Sequence, residues 1–300
     1  MPAYRFVTVD VFTDQRFGGN PLAVFPDARG LSDAEMQSLA AEFNLSETTF
    51  VFPPENPEHT ARVRIFHRTA EMPFAGHPTV GTGYVLAREG RGGDGTLLFE
   101  VPAGVVRVTI EHDDAGEVTG SMISAPQPLS TGLEFPVETI ATCAGLEIDD
   151  IVLTTHRPIH ASVGTWYVIA EVTSDALKRA KPSLEAFHKV CVERTELNGR
   201  FSLHLYAHER AEGDSIHLRA RMFAPEAGTI EDAATGSANT ALAALLLSHS
   251  NDDARRFKIM QGVEMGRPSL LHATASRAAD GIRATVAGHC VPMLRGEALL

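Results

Sequence analysis

GTIEDAATGSANTALAALLL, residues 228–247, places two acids, a run of small residues and an uncharged apolar segment in immediate succession. A helix that is apolar all round has no solvent face, so it is buried on every side. Small residues at its front leave the first backbone N–H groups without bulky neighbours. The first half of the chain carries a counterpart. FAGHPTVG (74–81) is a small-residue loop followed by the apolar helix TGYVLA (82–87). In the second half AATGSA (233–238) is followed by the helix NTALAALLLSH (239–249).

The parallel extends outward from these two helices. Arg64-Ile65-Phe66 opens a strand before the first, and Arg221-Met222-Phe223 opens one before the second. After them come LLFEVPAGVVRVTI (97–110) and FKIMQGVEMGRPSLLHA (257–273), each two strands about a glycine turn. Further upstream, PLAVFPDARGLSDAEMQSLA (21–40) and WYVIAEVTSDALKRA (166–180) both read strand, turn, helix. Matching blocks in one order, about 150 residues apart, indicate a duplicated domain rather than a solenoid. RFVTVDVF (5–12) alternates with period two, as a half-buried strand does. Ser32-Asp33-Ala34-Glu35 is a capping box, opening a helix with Met36, Leu39 and Ala40 inward. Strands outnumber helices without regular βαβ spacing. The expected class is therefore α+β, with two pseudo-symmetric halves, each a buried central helix wrapped by mainly antiparallel sheet. The division expected is 1–126, joined by a C-terminal strand at 283–300, and 127–282, with Pro126 and Pro128 in the link.

Composition narrows the function. The 300 residues are 44% hydrophobic and 21% charged, enough for a substantial core. A net charge of −12 with scattered acids argues against a nucleic-acid partner. No apolar run is long enough to span a bilayer, and the N-terminus has no basic and apolar leader pattern, so a cytoplasmic protein is expected. The cysteines, Cys143, Cys191 and Cys290, are far apart, and no CxxC or HExxH is present. They read as packed thiols, and no metal is expected.

The helix fronts are the chemical candidates. Gly236 and Ser237 open one, Gly76 and His77 the other, with Pro78 in a first turn where its missing N–H costs nothing. Such ends bind a carboxylate or phosphate, and two from related halves could face one cleft. The competing reading is local: Thr235 or Ser237 caps the helix, and Asp232 caps the 235–238 turn. Glu231 reads as solvent-exposed. Glu47 lies at the entrance to a strand, as a solvated acid or a functional one.

GNPLAVF (19–25), NLSETTFV (44–51), PFAGHP (73–78), EDAATGSA (231–238) and QGVEMGRPS (261–269) occur in order over nearly the whole chain. Together they resemble the PhzF family of phenazine biosynthesis. The resemblance implies a fold similar to diaminopimelate epimerase, with an active site between the halves and a homodimer. It implies an isomerase without metal or organic cofactor, acting on trans-2,3-dihydro-3-hydroxyanthranilate or another small cyclic amino or hydroxy acid bearing a carboxylate. Glu47 is then the acid/base, His77 and Asp232 its polar partners, and Gly76, Gly236 and Ser237 substrate binders. A shuttle carboxyl must both take and give a proton, and the site must exclude water. Two alternatives remain at this point. One is an amino-acid racemase or epimerase of the same fold, whose relatives carry a cysteine in each glycine loop where this chain has His77 and Ser237. The other is a non-catalytic ligand-binding protein. The region 153–220 resembles the phenazine enzyme much less than the motifs do.

Overall fold

Strand pairing in the two halves follows one pattern, as duplication requires. The computed structural model describes residues 2–300, with the backbone alone at 210–212. It divides into one unit of Met1–Ser124 with Ala287–Leu300 and a second of Ala125–Val286.

In the first unit the strands are β1 (Ala3–Val11), β2 (Asn20–Phe25), β3 (Glu47–Phe52), β4 (Ala61–His67), the short β5 (Glu71–Met72), β6 (Thr96–Val101), β7 (Gly104–His112) and β8 (Val118–Ser124). The chain's last strand, β18 (Gly281–Leu299), ends here. β1 pairs with β2 antiparallel, β2 with β3 parallel, β3 with β4 antiparallel, β4 with β6 parallel, and β6 with β7 antiparallel. β18 pairs with β1 at one edge and β8 at the other, so the sheet closes on itself. Within it runs α2 (Gly76–Arg88), which packs against β1, β2, β3, β7 and β8. Its glycines permit that closeness. A Cβ on Gly81 would lie 2.6 Å from Leu22 and 2.7 Å from Val11, and one on Gly83 would lie 2.6 Å from Val108. Gly81→Ala is therefore expected to cost about 1–3 kcal/mol by overpacking, read as a lower denaturant midpoint. An unchanged midpoint would mean that the sheet yields freely around the helix.

Outside this sheet lies α1 (Asp33–Phe43). Ser32 and Glu35 form the expected capping box, and Met36, Leu39 and Ala40 face inward onto Phe25, Phe50 and Phe66. The Phe25 and Phe50 rings stack at 4.9 Å.

In the second unit the strands are β9 (Ser130–Glu134), β10 (Ile151–Val152), β11 (Ile159–Ser162), β12 (Trp166–Val172), β13 (Leu203–Glu212), β14 (Ser215–Ala224), β15 (Thr229–Asp232), β16 (Ala254–Gln261) and β17 (Ser269–Ala278). From β11 through β12, β13, β14 and β16 to β17 the pairings are antiparallel, parallel, antiparallel, parallel, antiparallel. This repeats the order from β1 to β7, with α6 (Gly236–Ser248) as the buried helix. The remaining helices are α3 (Val137–Ala144), α4 (Ser174–Arg179) and α5 (Leu184–Glu193). They pack with β12, β13 and Phe223 into a second core that holds Phe135, Phe187 and Phe201.

Three local expectations shift. Both central helices begin earlier than the apolar runs indicated, at Gly76 and Gly236, because small residues there are already helical. The two Arg-x-Phe segments lie toward the ends of β4 and β14 instead of opening them. Glu231 is not a solvated acid. It forms a two-pronged ion pair with the buried Arg221, at 2.8 and 2.9 Å, and Arg221 also donates to the carbonyls of Leu177 and Ala180. The first unit has the same device, with Arg64 gripping Glu71 and reaching Asp33 at the start of α1. A guanidinium fork holds a carboxylate in one orientation, so each pair fixes the path from its strand toward the central helix.

Candidate active site

In the first unit the parallel β2–β3 pair aligns Leu22 with Glu47, so Glu47 opens its strand beside the beginning of β2. α2 starts nearby, with Ala75 at the cap and no capping side chain. His77 is the second residue of α2 and lies inside its first turn, two residues past the Ala75 cap. This turns its ring toward Glu47, and Nδ1 lies 3.3 Å from Glu47 Oε2. The Glu47 side chain is 14% exposed and that of His77 5%. Burial pushes His77 down to about 3, opposed only in part by the backbone of Pro21. The ring is therefore neutral at neutral pH.

Two residues of this cluster were given no role from the sequence. Asn20 is fully buried and holds Nδ2 3.4 Å from His77 Nδ1. Ser46 donates to Asn20 Oδ1 at 3.4 Å. Both lie in the quoted motifs, beside Pro21 and Glu47, and motif membership is the signal that marks them. Asn20 is placed by Gly19, whose φ of +63° and 2.4 Å approach of a built Cβ to the Val11 carbonyl admit only glycine.

In the second unit Asp232 ends β15, and Thr235 donates its hydroxyl to Asp232 Oδ2 at 2.6 Å. Thr235 is the N-cap of α6 yet makes no capping bond with its side chain. Ser237 does not cap either, since its hydroxyl pairs with Tyr167 at 2.7 Å. Neither N-cap residue therefore closes its helix with its own side chain, and backbone donors at such a positive end favour an anion. Behind the turn lie Gln261, Asn239 and His204, all fully buried. Apart from the quoted motif that contains Gln261, no pattern in the sequence marks these three, or Tyr167, as functional. Among the described residues, no group of histidine, cysteine and acidic side chains is arranged to hold a metal ion.

The cysteines lie in packing environments. Cys143 belongs to the second unit's core with Cys191 packed against it, and Cys290 is buried. Burial pushes the Cys143 thiol up to about 12 and raises Cys191 and Cys290 as well. A thiol raised in this way is a poor source of thiolate. No helix of the described residues is long and apolar enough to cross a membrane.

A sequence model of the family described as phenazine biosynthesis-like protein matches residues 9–296. The chain is 36% identical over 303 residues to an uncharacterized isomerase of Mesorhizobium japonicum, covering 99% of each. It is 35% identical over 301 residues to the trans-2,3-dihydro-3-hydroxyanthranilate isomerase of Pseudomonas aeruginosa, covering 99% of this chain and 100% of that one. Among solved structures, a PhzF-family phenazine biosynthesis protein of Bacillus anthracis matches all of both chains, with a TM-score of 0.88 at 28% identity.

Proposed function

The chain belongs to the PhzF family of phenazine-biosynthesis-like proteins and is an isomerase, and from that premise we propose that it moves a proton within a small cyclic amino or hydroxy acid, trans-2,3-dihydro-3-hydroxyanthranilate or a close analogue. The reaction needs no metal or organic cofactor. The observation that carries this reading is the Glu47 carboxyl 3.3 Å from a buried, neutral His77. A carboxylate takes a proton from one ring carbon as that C–H bond breaks. The electron pair passes into the adjoining double-bond system, and the same proton, or one from solvent, is delivered to another ring carbon. Glu47 ends ionised, ready for the next turnover. His77 remains neutral throughout, and its Nδ1, an acceptor toward the Asn20 amine, favours the proton-bearing form of Glu47. Asp232 and the ends of α2 and α6 at Gly76, Gly236 and Ser237 bind the polar groups of the substrate.

An epimerase with paired thiols fits these residues less well. His77 and Ser237 stand in the glycine loops, and the three cysteines are packed elsewhere with raised thiols. We also place the protein in the cytoplasm as a homodimer, which sedimentation at micromolar concentration tests by mass.

The decisive assay incubates the protein with trans-2,3-dihydro-3-hydroxyanthranilate in heavy water. Isomerisation with deuterium at the newly protonated carbon is the expected result. Absence of turnover with this compound and with its cyclic amino-acid analogues would reject the substrate class.

A further inference from the structure

Hydrogen-bond direction in the second unit can be read outward from backbone groups, whose roles are fixed. Thr235 N–H only donates, and it meets Gln261 Oε1 at 3.2 Å. The Asp232 carbonyl only accepts, and it meets Gln261 Nε2 at 2.9 Å. These two contacts set the Gln261 amide orientation from both ends. The Gln261 amine also reaches Thr235 Oγ1 at 3.1 Å, which leaves that hydroxyl its own proton to donate to Asp232 Oδ2. The 2.6 Å length of this last bond falls in the range of a hydroxyl on a carboxylate.

The other direction is equally determined. Asn239 Nδ2 donates to the Thr235 carbonyl at 3.0 Å and to Gln261 Oε1 at 2.7 Å, so both its hydrogens are used. Asn239 Oδ1 must then accept, and His204 Nε2 faces it at 3.2 Å. His204 is therefore the Nε2–H tautomer. Burial pushes it down to about 4, which agrees with a neutral ring whose Nδ1 has no partner.

We infer that this one-way chain of donors, running from His204 through Asn239, Gln261 and Thr235, holds Asp232 as an ionised hydrogen-bond acceptor. Gln261, Asn239 and His204 are positioning residues that act on Asp232 through Thr235. The contrast with Glu47 gives the consequence. In the Glu47 cluster the Asn20 amine 3.4 Å from His77 Nδ1 makes that nitrogen an acceptor, so at 3.3 Å it can receive the protonated Glu47 carboxyl but has no proton to offer the carboxylate. Asp232 instead accepts one short hydroxyl bond of fixed direction, which disfavours its acid form. If Glu47 is the acid/base, as proposed above, Asp232 is the fixed anion that receives a donor of the substrate and carries no transferred proton.

The test follows the carboxyl itself and requires no substrate. Protein labelled with carbon-13 at the aspartate side-chain carboxyls is titrated by NMR, with Asp232→Asn to assign the signal. Thr235→Val keeps the shape and removes the last donor. Its Asp232 titration midpoint is expected to lie at least about one pH unit above that of the unmodified protein, a tenfold gain in proton affinity. Gln261→Leu is expected to move it in the same direction. Nitrogen-15 spectra of the His204 ring should show the proton on Nε2. A folded Thr235→Val with an unmoved Asp232 midpoint would overturn the inference, as would a His204 proton on Nδ1. Failure of the heavy-water assay would instead remove the substrate reading and leave the state of Asp232 standing.

Discussion

Glu47→Gln is expected to bind substrate and lose turnover by ~10²–10⁴-fold, the scale of a positioned acid/base, equivalent to about 2.7–5.5 kcal/mol in the barrier. Glutamine keeps the size and polarity of a side chain that lies 3.3 Å from His77, but it cannot carry a proton. The split between binding and rate is the informative part. A side chain that only filled space or held the strand would alter affinity or stability as well. Glu47→Asp should also slow the reaction, because one methylene less withdraws the carboxylate from the reacting carbon. Single-turnover kinetics with trans-2,3-dihydro-3-hydroxyanthranilate, beside equilibrium binding, make the comparison. Near-normal turnover in Glu47→Gln would mean that another group is the base.

Acid is expected to destabilise the fold strongly through two buried histidines. An unfolded histidine titrates near 6.5, whereas burial holds His204 at about 4 and His77 at about 3. Both folded values are depressed, so the unfolded chain binds protons that the folded chain refuses. The stability these neutral rings contribute is fully present above about pH 6.5. It declines as the pH falls, levelling off below about 4 for His204 and below about 3 for His77. The differences correspond to losses on the order of 3 and 5 kcal/mol at most. His204 is the cleaner probe. His204→Gln preserves a donor for Asn239 without a titrating group. Urea unfolding followed between pH 7 and 4 should show a flatter pH dependence in this variant than in the unmodified chain. Equal slopes would place the acid sensitivity elsewhere.

Much of the architecture is legible because it rests on local patterns. The capping box at Ser32–Glu35, with Met36, Leu39 and Ala40 inward, needs only the helical period and is found as such. The uncharged runs behind Gly76 and Gly236 can be satisfied only by burial on all sides, and both helices are wrapped accordingly. The repeated order of blocks predicts a repeated pairing order, and the strands follow it. Helix starts were less legible, since small residues carry no apolar signal and Ala75 and Thr235 cap without side-chain bonds.

The sequence by itself thus determined the class, the duplication and the two central helices, together with the motifs in which Glu47, His77 and Asp232 stand. Tertiary structure alone decided which polar side chains meet. Period-two and 3.6-residue patterns state which face of an element is buried. They say nothing of the partner that a buried polar group finds on a strand many residues away. Arg221 finds Glu231, turning an apparently solvated acid into half of a buried ion pair. Asn20 reaches His77 across 57 positions, and Gln261 reaches Thr235 across 26. These pairings follow from the packing of strands against one another and against the buried helices, and from the burial that makes each unmet donor or acceptor costly.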